Sequence, residues 1–108
     1  MDEELAVVFD SLEDPRIDRT KLYPIGEIFF LVLSAVLVGV KSWRGVETFG
    51  DETLPWLRKF MRFSQGVPSH QTIGRVFSIV PPRTIEVAFV QFMAHVTGKP
   101  PGQIIALD

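Results

Sequence analysis

The chain has 108 residues, of which 46% are hydrophobic and 22% charged, and its formal net charge is −2. This size and apolar content predict one globular domain with a modest core and exclude a disordered segment. The absence of cysteine excludes disulfides and thiolate metal sites. The sequence begins MDEEL, which is acidic where a secretion signal is basic, so we expect no such signal.

Charge is distributed unevenly along the chain. Residues 1–27 carry eight acids and three bases, residues 28–40 carry no charge, and residues 41–75 carry six bases and three acids. An anionic partner would therefore favour the middle of the chain, although an ordinary solvated surface explains the same excess of bases.

The first predicted element is an amphipathic helix at residues 2–13. Its apolar residues follow the i, i+3, i+4, i+7 spacing of one helix face: Leu5, Val8, Phe9 and Leu12. Asp14 and Pro15 end this helix, since the residue before a proline avoids the α region.

The most apolar stretch follows at residues 28–40, where only Ser34 and Gly39 are not large apolar residues or alanine. We predict a central buried helix over residues 25–41. A membrane span is the alternative, but it needs about 20 apolar residues, and a shorter run is more typical of a buried helix.

The remaining pattern predicts a series of shorter elements. Residues 42–49 form a short helix that Gly50-Asp51-Glu52 interrupts, and a second helix begins near Leu54. Its buried side carries Leu54, Leu57, Phe60 and Met61. A tight turn at residues 66–68 leads to a helix that Pro81 ends.

The last helix is predicted from an apolar stripe and closes at Gly98. The stripe contains Ile85, Phe89, Phe92 and Val96. Residues 104–107 read as a β-strand, which has no partner in a helical chain. We therefore expect an all-α bundle of five or six short helices (residues 1–98), followed by a linker and an orphan strand (residues 99–108).

The stretch GVPSHQTIGRVF at residues 66–77 is the densest polar motif. Ser69 precedes an apolar repeat and is a natural N-cap. A Ser69–His70 nucleophile and base is disfavoured, because adjacent side chains on a helix diverge by about 100°. The two histidines lie on separate elements, and no glycine-rich phosphate loop occurs, so neither a metal site nor a nucleotide site is predicted.

Nucleic-acid binding fits the motif better. The helix, tight turn and helix from residue 54 to residue 80 resemble a helix-turn-helix, whose second helix presents its first residues to base edges. The predicted outer face carries His70, Gln71, Gly74, Arg75 and Ser78, with Ile73, Val76 and Phe77 turned inward. The predicted DNA contacts are His70, Gln71, Thr72 and Arg75, with Arg58, Lys59 and Arg62 at the phosphates. An ordinary capped helix hairpin explains the pattern equally well.

An ordered set of motifs identifies a family resemblance. In chain order these are DPR at residues 14–16, YP at 23–24, GVKSW at 39–43, WL at 56–57, GVPSHQTIGRVF at 66–77 and IIALD at 104–108. The set resembles the N-terminal domain associated with DDE-type insertion-sequence transposases, a group that includes the H-repeat-associated proteins.

The resemblance implies more than the residues show alone. In such transposases a helical N-terminal region precedes a ribonuclease-H-like catalytic domain, whose first strand ends in the first metal-binding aspartate of the triad. Residues 104–107 match that strand and Asp108 matches that aspartate. The other two carboxylates have no counterpart, and two-metal chemistry needs several carboxylates. The resemblance therefore implies an N-terminal piece of a transposase, either expressed as such or encoded by a truncated gene. We expect that it is not an enzyme alone and holds no cofactor, with a divalent metal such as Mg²⁺ in the full-length protein.

The expected function is that of an accessory domain that contributes to transposon DNA binding in the bacterial cytoplasm, at the nucleoid when bound. The alternative is a structural or dimerisation domain that packs on the catalytic domain without touching DNA; the acidic overall charge favours it. The unpaired strand edge at residues 104–107 invites a homo-oligomer. No membrane and no small-molecule substrate are expected as partners.

Overall fold

A computed structural model describes residues 22–100, which form four helices and no strand. These are α1 (Ile25–Leu37), α2 (Trp43–Leu57), α3 (His70–Ile79) and α4 (Pro82–Thr97). The all-helical class is confirmed for this part of the chain. The predicted helix at residues 2–13, the strand at residues 104–107 and Asp108 lie outside the described residues, so five or six helices remain a prediction.

Helix α1 is the core of the molecule. Nine of its 13 residues are buried, and α2 and α4 both pack against it. The ring of Phe30 is its hub, with its centroid 5.4 Å from that of Phe60, 5.9 Å from Phe92 and 6.0 Å from Trp56. Because aromatic rings at these separations bury large areas, α1 holds the other helices together. The predicted central helix is confirmed.

The end of α1 differs from the prediction, which extended the helix to residue 41. Gly39 has a φ of 94°, and the N–H groups of Gly39 and Val40 donate to the carbonyls of Val36 and Ala35, both at 3.0 Å. This pair of bonds is a Schellman motif, which ends a helix at a left-handed glycine. The last apolar side chains are consequently exposed: Val36, Leu37 and Val38.

Among residues 22–100, no single helix has both the length and the apolar character needed to cross a membrane. Helices α3 and α4 meet that requirement only as a pair, and they are bent by 111° where they join.

Helix α2 corrects the predicted interruption at Gly50, because it continues without a break from Trp43 to Leu57. Gly50 is buried, and a Cβ added there would lie 2.8 Å from Cγ1 of Val67 and 3.0 Å from Cδ1 of Leu31. Glycine stands here because α1 and the loop before α3 both press on α2. Gly50 therefore marks a close contact between elements and not the end of a helix, and the prediction of two separate helices is wrong.

Helix α4 ends as predicted, since Gly98 has a φ of 73° and its N–H donates to the carbonyl of Ala94 at 2.9 Å. Its buried face differs in part from the predicted stripe. Phe92 is buried, but Phe89 and Val96 are 42% and 54% exposed. Ala88 is buried instead, so the inward face is narrower than the sequence pattern indicated.

An apolar groove of about 450 Å³ lies where the C-terminal ends of α1 and α4 meet α2. Its apolar lining comes from Leu37, Val38, Phe49, Trp56, Phe92 and Val96. Ser34 also lines it, and the buried Oγ of Ser34 has no hydrogen-bond partner among residues 22–100. We refer to this feature as the apolar groove.

Candidate nucleic-acid interface

The start of α3 is a capped helix terminus, as predicted. The Oγ of Ser69 accepts a hydrogen bond from the N–H of Thr72 at 3.2 Å and donates to the Thr72 hydroxyl at 3.1 Å. Ser69 is extended, with φ −67° and ψ 159°, which is the usual backbone of an N-cap. Thr72 is half-buried, and its N–H and hydroxyl both take part in the cap. Thr72 therefore contributes less to the predicted DNA face than an exposed residue would.

His70 is held by α2 rather than standing free on the surface. One carboxylate oxygen of Glu47, Oε1, lies 2.8 Å from the backbone N of His70 and 2.8 Å from its ring Nδ1. The His70 and Glu47 side chains are 29% and 33% exposed. The pair joins residues 23 positions apart, so it fixes the beginning of α3 against the first half of α2.

This contact changes the electrostatics of the helix start. The hydrogen bond from the His70 ring, followed by that from its backbone N–H, lowers the pKa of Glu47, and the charge of Arg44 adds to the same direction. The carboxylate therefore stays ionised at neutral pH and faces the positive end of the α3 dipole. Glu47 and Ser69 occupy the N–H groups of His70 and Thr72, so these two groups are not available to bind an anion.

Gly74 was expected on the outer face, where it would let a ligand backbone approach. The structure places Trp43 there instead. A Cβ on Gly74 would lie 3.0 Å from Cδ1 of Trp43, and the Trp43 ring centroid is 5.2 Å from that of Phe77. Gly74 therefore serves the contact between α2 and α3.

Gln71 and Arg75 remain fully on the presented side of α3. Both are exposed, and their spacing of four residues places them on one face of the helix. Ile73 and Val76 are buried on the opposite side, as the apolar spacing predicted. The outward surface of α3 is thus narrower than expected and centres on these two side chains.

The basic residues that follow α2 divide into two kinds. Lys59 and Arg62 are exposed. Arg58 donates from Nε and Nη2 to the carbonyl of Phe63, at 3.3 and 3.0 Å. Phe63 has a φ of 46°, and its N–H donates to Oε2 of Glu27 at 3.1 Å, so Arg58 helps to hold a left-handed turn.

Arg58 is distant from the start of α3. Glu47 contacts His70, and Arg58 lies 11 positions further along α2. At 1.5 Å per residue this separation is roughly 16 Å along the helix axis. The predicted contacts at the start of α3 and the predicted contact Arg58 therefore lie apart.

Two basic residues nearer to α3 were not among the predicted contacts. Arg44 lies in the first turn of α2, three residues before Glu47, and Lys41 precedes that helix; both are exposed. The excess of bases over residues 41–75 included them. Their placement beside α3 needed the Glu47–His70 contact, which the sequence does not reveal.

Hydrolytic chemistry gains no support from the geometry. The Ser69 hydroxyl donates to Thr72, whereas the His70 ring contacts Glu47, so the two do not form a nucleophile and base pair. Within residues 22–100, no group of three His, Asp or Glu residues could hold a metal ion.

Comparison with known proteins places this helical unit in context. The family model described as DDE_Tnp_1-associated matches residues 6–93. An uncharacterized protein in the dhlA 3′ region of Xanthobacter autotrophicus is 41% identical over 88 residues, which are 81% of this chain and 30% of that protein. No solved structure is a significant match.

Two further relatives carry names that refer to transposition. The putative transposase YncI of Escherichia coli O157:H7 is 36% identical over 86 residues, 80% of this chain and 22% of that protein. The H repeat-associated putative transposase YhhI of Escherichia coli K12 is 30% identical over 86 residues, 80% of this chain and 23% of that protein. The matched part of the chain thus spans less than a third of these relatives.

Proposed function

The chain belongs to the DDE_Tnp_1-associated family, and from that premise we propose that it is an accessory domain of a DDE transposase that binds transposon-end DNA through α3. The observation that supports this most directly is the exposed pair Gln71 and Arg75 on a helix whose start is fixed by Glu47 and Ser69. Helix-turn-helix proteins place a recognition helix in the major groove, and α3 would be presented in the same way. The connection from α2 to α3 is residues 58–69, which is longer than the predicted tight turn, so the likeness is confined to the presented helix.

The chemistry of these two side chains suits base recognition. Gln pairs bidentately with adenine and Arg with guanine, both at the major-groove edge. Their spacing of four residues is about 6 Å along the helix axis, which is close to the rise of two base pairs. Gln71 and Arg75 would therefore read bases about two positions apart, with Thr72 at the edge of the contact.

Phosphate contacts in this proposal come from side chains. Lys59 and Arg62 are free of the internal bonds that engage Arg58 within residues 22–100. Arg44 lies three residues before Glu47 on α2 and adds a basic side chain near the start of α3, and Lys41 precedes the same helix. Arg58 remains a proposed contact, with the Phe63 carbonyl as its competitor for the guanidinium.

Fluorescence anisotropy with labelled DNA duplexes that carry the terminal repeats of the transposon tests the proposal. We expect binding that weakens as salt is raised, and Arg75→Ala should reduce the affinity by about 5-fold to 150-fold, as the loss of a bidentate base contact does. Arg83→Ala is the matched control, because Arg83 is an exposed arginine on α4 outside the proposed face. Undetectable binding, or equal effects of the two variants, would contradict the proposal.

The proposal assigns no catalysis to the helical domain. In the full-length transposase, Asp108 would be the first metal-binding carboxylate of a catalytic domain that uses a divalent metal such as Mg²⁺. Asp108 lies outside the described residues, so this role is carried by the family resemblance alone. DNA cleavage by the 108-residue chain with Mg²⁺ would contradict it.

A second candidate function is a structural one, which the apolar groove favours. Leu37, Val38 and Val96 are at least half exposed, although they are apolar, and the Ser34 hydroxyl finds no partner within the described part of the chain. The described chain leaves α4 beside Val96, and the matched part is only 30% and 22% of two of the relatives. The occupant of the groove would then be the domain that follows in the longer protein.

A binding assay separates this candidate from DNA recognition. The remaining part of a full-length relative, expressed separately, should bind the chain, and Val38→Asn or Val96→Asn should weaken that binding while Arg75→Ala does not. Light scattering of the chain alone measures its molar mass and shows whether a second copy of the chain occupies the groove instead. Unchanged binding by both groove variants would contradict the structural candidate.

A further inference from the structure

We propose that Glu47 is a positioning residue for DNA recognition, which fixes the His70 ring so that Nε2 accepts a hydrogen bond from an exocyclic amino group of a base. This inference rests on the proposed DNA-binding function of α3. It adds a residue of α2 that the sequence did not single out, and it assigns a chemical class of target to His70.

The geometry of Glu47 leaves little freedom to the ring. Its Oε1 lies 2.8 Å from both the backbone N and the ring Nδ1 of His70, so the carboxylate binds the helix start and the side chain together. The Trp43 ring packs against Gly74 one turn further along α3. The portion of α2 from residue 43 to residue 47 therefore fixes the first turns of α3.

A carboxylate of lowered pKa only accepts hydrogen bonds, because it carries no proton to donate at neutral pH. The proton at this contact must therefore lie on Nδ1 of His70, whatever the charge of the ring. Such a partner on one ring nitrogen sets the tautomer and leaves the other nitrogen to define the chemistry.

The nitrogen that remains is Nε2. Within residues 22–100 it has no hydrogen-bond partner, and the side chain is 29% exposed. In a neutral ring with its proton on Nδ1, Nε2 is an acceptor. The major-groove groups that donate to it are the N6 amino group of adenine and the N4 amino group of cytosine, whereas guanine offers acceptors there.

Nuclear magnetic resonance tests the position of the proton without DNA. Long-range ¹H–¹⁵N spectra of the chain, at a pH where the ring is neutral, should show His70 with its proton on Nδ1. His95→Gln assigns the signals, because the chain has only two histidines. Glu47→Ala should shift the ring towards the Nε2–H form. Glu47→Gln keeps an acceptor oxygen and should retain the Nδ1–H form, even if Glu47→Ala folds poorly.

Binding assays with modified DNA test the second half of the proposal. They use terminal-repeat duplexes in which single adenines are replaced by purine, or single cytosines by 2-pyrimidinone, so that only the amino group is lost. The wild-type chain should lose about threefold to tenfold in affinity at one position, as expected for one hydrogen bond. His70→Ala and Glu47→Ala should be insensitive at that position, and Glu47→Gln should behave like the wild type.

The outcomes distinguish the DNA-binding function of α3 from the positioning role of Glu47. No salt-dependent binding by the wild-type chain would overturn the DNA-binding function, and with it the role of Nε2, while the ring spectra would still report the Glu47 contact. Binding with no amino position that depends on His70 and Glu47 would overturn this inference alone. A wild-type ring with its proton on Nε2 would also overturn it.

Discussion

The junction of α2 with α3 and the apolar groove differ in how their polar groups are satisfied. At the junction, Glu47 and Ser69 supply partners to the N–H groups and ring at the start of α3. In the groove, no residue of the described range 22–100 bonds to the buried Ser34 hydroxyl, which lies beside exposed apolar side chains. The junction therefore leaves a defined set of polar side chains for a ligand, whereas a patch of exposed apolar side chains is typical of a protein contact.

This difference also separates the two candidate functions. The junction orients Gln71 and Arg75, which are suited to bases, and the groove presents Leu37, Val38 and Val96, which are suited to an apolar partner. Helix α2 contributes to both surfaces through different residues, with Trp43 and Glu47 at the junction and Phe49 and Trp56 in the groove. Single substitutions can therefore disturb one surface and leave the other intact. The following predictions use this independence, beginning with the core that supports both surfaces.

Phe30→Ala should have the largest effect. Phe30 is 2% exposed and its ring contacts rings from α2, α4 and the turn between α2 and α3, so its removal leaves a cavity under both surfaces. We expect a loss of about 3–5 kcal/mol in the free energy of unfolding, measured by urea denaturation. Phe89→Ala is the control, because Phe89 is 42% exposed, and a loss of similar size there would contradict the assigned core.

Gly39→Ala should disturb the groove end of α1. With a φ of 94° at this position, alanine would adopt a left-handed backbone at a cost of about 1–2 kcal/mol, although no atom of residues 22–100 lies within 4 Å of the added Cβ. Thermal denaturation should show the loss, and DNA affinity should stay unchanged. A stability equal to the wild type would mean that α1 does not end in the Schellman motif.

Ser69→Ala and Ser42→Ala form a matched pair of cap removals. Each serine accepts a backbone N–H three residues ahead, at 3.2 Å in α3 and 3.0 Å in α2. Each substitution should cost about 1 kcal/mol of stability. DNA affinity should fall more for Ser69→Ala, since it frays the presented helix. Equal affinities for the two variants would argue against α3 as the binding element.

The Glu47–His70 contact predicts a smaller, pH-dependent effect. Since the folded state lowers the pKa of Glu47, its contribution to stability is complete above the ordinary value of 4.5 and is lost as the pH falls through the lowered value. Urea midpoints of the wild type should therefore fall more steeply below pH 4.5 than those of Glu47→Gln. Parallel pH profiles of the two proteins would contradict the contact.

The sequence predicted the parts that depend on local pattern. The central helix, the Ser69 cap and the inward positions Ile73 and Val76 follow from apolar spacing and cap chemistry, and the structure confirms them. The end of α1 could have been read from Gly39, because a glycine after an apolar helix favours a Schellman motif.

What the sequence did not predict depends on contacts between distant residues. Gly50 resembles a helix breaker until Val67 and Leu31 are seen to press on it, and Gly74 resembles an exposed glycine until Trp43 is seen beside it. The Glu47–His70 pair spans 23 residues. In each case tertiary packing decided the role of a residue whose local pattern was ambiguous.

A titration of the ¹⁵N-labelled chain with terminal-repeat duplex, followed by amide chemical shifts, tests the central claim most directly because it observes both surfaces at once. DNA recognition by α3 predicts the largest amide shifts at Gln71, Thr72 and Arg75, with those of Val38 and Val96 in the groove unchanged. Shifts confined to the groove, or no shifts at low salt, would contradict DNA recognition by α3.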